Sequence, residues 1–208
     1  MKKIAVVLMG LVLFLSGCAG TKPVSSKTEQ YIVSALGFDG VGKGFKISAE
    51  AVIVGTEGNL ETEAKVITGE GETIKKAFSE LRKKNSQPLL LSHCGLILFG
   101  NSLTFEKIEE VLEYAKTERE ITLSVFIGVT EKAESLLNLK AVSSVAIGYD
   151  IVGMIEQQEA EAGKNFKNRL YEIEALRTRG QDIKLPFFEM QNEEFYFSEL
   201  RELGGQAK

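Results

Sequence analysis

The hydrophobic period of this chain switches from two to 3.6 partway along, which confines the fold to a sheet with helices packed on it. Apolar Phe45, Ile47, Ala49, Ala51 and Ile53 alternate with Lys46, Ser48 and Glu50. Alternation places the two sets on opposite faces of a strand and predicts one buried face. Tyr31 to Leu36 is another β-type run, and Gly37 to Gly44 (GFDGVGKG) between them reads as a hairpin loop. Gly55 to Asn59 is the next turn, and Ala64 to Thr68 a third strand. From Thr73 the period lengthens. Ile74, Ala77, Phe78 and Leu81 fall at i, i+3, i+4 and i+7, with Lys75, Lys76, Arg82 and Lys83 elsewhere. That is an amphipathic helix, and its basic end suits the negative pole of the helix dipole.

Further on, Leu89 to Leu91 and Leu96 to Phe99 flank Ser92-His93-Cys94-Gly95, and the run reads as a central strand buried on both faces. Phe105, Ile108, Val111, Leu112 and Ala115 mark a second helix with Thr104 as N-cap. Ile121 to Ile127 alternates like a strand, and Thr130 is expected to cap a short helix through Leu137. Past Asn138 the texture changes. A helix over Val145–Glu159 would bury Val145, Tyr149, Val152 and Ile155, and one over Phe166–Arg179 would bury Phe166, Leu170, Ile173 and Leu176. Ile183 to Phe188 reads as a strand that Pro186 confines to an edge or to a position facing away from a partner. Residues from Leu203 read as a frayed end. The expected class is α+β or mixed α/β, a mixed sheet with packed helices.

The N-terminus carries a different message. Met1-Lys2-Lys3 precedes an apolar run from Ile4 to Leu15, then Ser16-Gly17-Cys18. A short basic segment, a short apolar core and small residues before a cut site make a signal peptide. The run falls short of the roughly 20 apolar residues that span a bilayer. Leu15-Ser16-Gly17-Cys18 is a bacterial lipobox, in which the Cys18 thiol takes a diacylglyceryl group. Stable anchoring needs two acyl chains or a second signal, and a diacyl anchor meets that alone. Residues 1–17 are thus the expected signal peptide, and 18–29 (CAGTKPVSSKTE) the lipidated cysteine and a flexible tether. Residues 30–139 form an N-terminal α/β domain, and 140–208 a second helical and strand subdomain. Loss of residues 1–17 leaves 23 basic and 29 acidic residues, a net charge of −6. That balance argues against nucleic acid and against an anionic lipid surface as partners, since both want basic patches. With Cys18 lipidated, Cys94 has no disulfide partner.

Candidate chemistry is sparse. His93 is the only histidine, which removes zinc sites built on two or three histidines. His93 and Cys94 are neighbours in a predicted strand, so they point apart and cannot form a nucleophile pair. Gly40-Val41-Gly42-Lys43-Gly44 resembles a phosphate loop in composition, but it joins two strands and no Ser or Thr follows the lysine. Glu106, Glu109, Glu110, Glu113, Glu118 and Glu120 crowd one region, and the first four lie off the apolar stripe of their helix, as a solvated face does. No catalytic, cofactor-binding or metal residue is assigned; the one site residue is Cys18, for lipidation.

Several stretches together resemble a known family. Gly71-Glu72-Thr73-Ile74-Lys75-Lys76-Ala77-Phe78 is followed by Leu89-Leu90-Leu91-Ser92-His93-Cys94-Gly95-Leu96-Ile97-Leu98-Phe99-Gly100. This order resembles the C-subunit (GerC-type) lipoproteins of bacterial spore germinant receptors, whose helix start reads G-x-T-I-x-x-A and whose next apolar strand holds Ser-His and ends in glycine. Arg119-Glu120-Ile121 to Phe126 and Gln181-Asp182-Ile183-Lys184-Leu185-Pro186 are similar too, so the likeness covers most of residues 30 to 190. Ala19-Gly20-Thr21 stands where family members carry Trp-Asp and an acidic residue, and the family's further C-terminal domain is expected to be absent. The resemblance implies a non-enzymatic lipoprotein on the outer face of the spore inner membrane. It would sit beside two integral membrane subunits that sense small nutrients and trigger germination. The alternatives are an envelope lipoprotein binding a small solute or wall component, and, further off, a hydrolase built on carboxylates.

Overall fold

The computed structural model describes residues 30–54, 62–85 and 87–203. Strands β1 (Gln30–Val41) and β2 (Gly44–Val54) form a long antiparallel hairpin. Only Gly42 and Lys43 make the turn, and Gly42 takes φ +53, which glycine adopts without steric cost. The loop expected from Gly37 is therefore shorter, because Gly37 to Val41 continue β1. Strand β3 (Glu63–Gly71) pairs with the other side of β2.

Helix α1 (Ile74–Lys83) lies on this edge and buries Ile74, Ala77, Phe78 and Leu81, as the spacing predicts. Thr73 caps it, its Oγ1 accepting from Lys76 N at 3.2 Å. The helix sits so close to β3 that a Cβ on Gly69 would collide with the backbone of Ala77 and Leu81. Gly69→Ala is expected to lower the unfolding free energy by about 1–3 kcal/mol, since the helix must lift off a packed core. Denaturant unfolding checks this, and an unchanged midpoint contradicts it.

The apolar stretch from Leu89 to Gly100 is two strands rather than one. β4 (Leu89–Leu90) and β5 (Leu96–Gly100) both run parallel to β1, with a 3₁₀ turn at Leu91–His93 between them. All five residues of β5 are buried. Helix α2 (Phe105–Thr117) is capped by Thr104, as expected, and buries Ile108, Val111, Leu112 and Ala115. Phe105 stays 48% exposed. Lys107, two residues on, already reaches the Gly42 and Gly44 carbonyls at the hairpin turn, so Phe105 lies past the end of the sheet.

Strand β6 is Phe126–Thr130, later than the alternation suggests. Residues 121 to 125 turn locally, through Ile121 N to Glu118 O and Val125 N to Thr122 O. They also accept hydrogen bonds from Leu170 N and Tyr171 N. Helices α3 (Ala133–Leu137), α4 (Ile147–Ala162) and α5 (Leu170–Thr178) follow, then β7 (Lys184–Gln191) and β8 (Glu194–Glu202). The β7–β8 hairpin turns at Asn192 and Glu193, both at positive φ. Pro186 falls one residue before β7 begins its ladder with β6 at Phe187, so its missing N–H breaks no pairing there.

One mixed sheet results, ordered β3-β2-β1-β5-β6-β7-β8, with β4 beside β1. Apolar residues of α1, α2 and α5 cluster on one face, those of α3 and α4 on the other. The two-sided cover explains why β2 is buried on both faces, Ser48 and Glu50 included, where alternation predicted one. The boundary expected at residue 139 falls between α3 and α4, which pack on the same face, and β7 and β8 extend the same sheet.

Helix α4 buries Ile155 as expected, but its other buried residues are Ile147, Gly148 and Ile151, and Tyr149 of the expected stripe stays 38% exposed. In the last helical segment Leu170 and Ile173 are buried as expected. Phe166 is buried as expected too, but it precedes α5 and stacks on Phe197 of β8, ring centroids 5.7 Å apart.

Candidate functional site

The most constrained polar cluster surrounds Glu50. β1 bulges between Val33 and Ala35, and Ala35 pairs with Glu50 on β2. The bulge brings Ser34 to Glu50, and Ser34 Oγ donates to Oε2 at 2.6 Å. Ile147 N donates to Oε1 at 2.6 Å and Gly148 N to Oε2 at 2.8 Å. These are the first N–H groups of α4, which its own N-cap residue, Ala146, does not serve with a side chain. A carboxylate placed there satisfies orphan donors and faces the positive pole of the helix dipole. Gly148 permits the approach: a Cβ would stand 2.8 Å from Ala35 Cβ and 3.1 Å from Glu50 Oε2.

Asp39 does the same for α3. It is buried on β1 and accepts from Ala133 N at 3.0 Å and Glu134 N at 2.9 Å. The expected cap, Thr130, instead ends β6 with its hydroxyl unpaired. Lys46 on β2 bridges Glu134 at 2.9 Å and Glu70 at 3.3 Å, tying α3 to the hairpin and to β3.

Burial pushes the Glu50 carboxyl above its ordinary pKa, and the bonds from Ser34, Gly148 and Ile147 only partly offset this. A folded state that holds its proton more tightly than the unfolded chain loses stability as pH rises through the folded pKa. The unfolding free energy of the native protein minus that of Glu50→Gln should therefore fall as pH is raised from about 4.5. Paired denaturation curves check this, and a difference that rises with pH contradicts it.

This geometry holds the starts of α3 and α4. Both Glu50 oxygens and both Asp39 oxygens already accept bonds from the protein. A cleft of about 430 Å³ opens beside Glu50, between Ala64–Val66 of β3 and the α3–α4 connection. A second, of about 660 Å³, lies along α4 between Val142–Ser144 and Glu194–Phe195.

The residues singled out in the sequence do not converge. His93 is exposed in the 3₁₀ turn, while Cys94 is buried and its thiol donates to Leu96 O at 3.3 Å. Burial pushes that thiol up to about 12. Their side chains part at a turn, not in a strand as expected. Gly40 to Gly44 straddle the hairpin turn between two antiparallel strands. Among the helix glutamates, Glu109 is half-buried in an ion pair with Arg177 of α5, so it is not solvated as its position suggested. Glu113 pairs with Lys116, and Glu118 accepts from Tyr114. Cys18 lies outside the described residues. Among the described residues no group of three or more His, Cys, Asp or Glu is placed to hold a metal, and no helix is long and apolar enough to cross a membrane. Sequence reasoning missed Asp39 and Glu50. The available signal was that both are acids inside otherwise apolar or small-residue strands.

Comparisons with known proteins agree with the motif order. The family model described as the spore germination protein N-terminal domain matches residues 27–190. The spore germination protein GerQC of Bacillus cereus is 25% identical over 177 residues, which cover 85% of this chain and 48% of that protein. The chain thus spans about half the length of the curated relative it matches. No solved structure matches. The chain belongs to the GerC-type spore germination family and corresponds to its N-terminal domain.

Proposed function

We propose that the chain is a non-enzymatic, membrane-anchored lipoprotein subunit of a spore germinant receptor complex, acting in the response of spores to nutrients. Family membership over residues 27–190 carries this reading. The Leu15-Ser16-Gly17-Cys18 run supports the anchor: diacylglycerol on Cys18 would hold the domain on the outer face of the spore inner membrane. The mechanism is placement. Lipid confines a rigid two-sided sheet to a surface, where it docks integral membrane subunits that sense the nutrient.

Co-expression with affinity-tagged integral membrane subunits of a germinant receptor tests this. Detergent extracts should yield this chain in near-equal amount with its partners. Recovery of the tagged subunits without it, from cells that contain it, would sink the proposal.

A further inference from the structure

The geometry points to one end of the sheet as the face that seats on the lipid bilayer, with Leu123 and Tyr171 as its contact spot. This rests on the proposed anchor at Cys18. Ala35, Leu96 and Phe126 form one row across the parallel strands β1, β5 and β6. Gln30, where β1 begins, lies five residues before that row, and Leu123 leads into it three residues before Phe126. Both therefore lie at the same end. Twelve residue steps separate Cys18 from Gln30, a reach of at most about 40 Å. The chain thus enters the domain at the end where Leu123 sits.

Among the described residues, that end carries exposed apolar side chains. Leu123 and Tyr171 are each 50% exposed, and Tyr171 N donates to Leu123 O at 3.0 Å, which holds them side by side. Val54, paired with Gln30, is 37% exposed. A tyrosine and a leucine side by side suit the boundary between headgroups and acyl chains, where amphipathic rings concentrate. The lipid supplies the attachment, and this spot sets which way the domain faces. The opposite end, with Val41, Lys43 and Phe105, then points away from the bilayer, toward partner domains.

The full chain, made in a lipidating bacterium, is reconstituted into phosphatidylcholine–phosphatidylglycerol vesicles that contain a nitroxide-labelled lipid. A fluorophore is attached at Ser124→Cys in one sample and at Lys43→Cys in another. Quenching should be several-fold stronger at position 124. Adding Leu123→Ser and Tyr171→Ser should bring the two positions close together while the protein stays bound. Equal quenching in the unaltered background, or stronger quenching at position 43, overturns the seating. Protein that fails to remain on vesicles at all overturns the anchor, and the seating with it, so the two failures are distinguishable.

Discussion

Cys18→Ala should release the protein from membranes almost completely. On the proposed reading, all attachment runs through the diacylglyceryl group on one sulfur. Each buried CH₂ contributes about 0.8 kcal/mol, so two long acyl chains hold far more firmly than any surface contact of the folded domain. Without the thiol no lipid can be transferred, so the chain loses the one attachment this reading gives it. Fractionation of expressing cells, with immunoblotting of pellet and supernatant, reads the result. An altered protein that still pellets with membranes after a high-salt wash would contradict the anchor. A modest residue bound at low salt would not, since Leu123 and Tyr171 offer weak contact of their own.

Glu50→Ala should lower the unfolding free energy by about 3–5 kcal/mol. The change leaves Ile147 N and Gly148 N without an acceptor, while Ser34 Oγ keeps the carbonyl of residue 50 at 3.2 Å, and opens a void against the sheet. Buried donors without partners cost about 1–3 kcal/mol each, partly relieved if water enters from the neighbouring cleft. Domains of this kind have only about 5–15 kcal/mol in hand, so the loss is a large fraction. Glu50→Gln keeps one acceptor and should cost less. Helix α4 should loosen first, visible as faster amide exchange from Ile147 onward. Equal stability of the native and alanine proteins would show that the Glu50 bonds do not hold α4.

Local patterns foretold much of this architecture. The period-two run gave β2, the 3.6-period run gave α1 with its cap, and Thr104 gave the start of α2. Features set by distant partners were out of reach. Glu50 sat in a polar position of an alternating strand, and its partners come 97 and 98 residues later. Thr130 has the chemistry of a cap, but Asp39, 94 residues before Ala133 in the chain, takes that role because β1 passes under α3. Strand β8 has no local signal, because its turn uses Asn192 and Glu193 at positive φ, with no glycine to announce it. Residues 121 to 125 alternate like a strand, yet their backbone bonds go to local turns and to the start of α5. The order of the motifs around Gly71 and His93 nonetheless identified the family, because order and spacing survive where single residues do not.

Intact mass and peptide mass spectrometry of the protein extracted from membranes reads the anchor itself. The mature chain is expected to begin at Cys18, with a diacylglyceryl group in thioether linkage to its sulfur. A polypeptide that still begins at Met1, with an unmodified thiol at position 18, would contradict it.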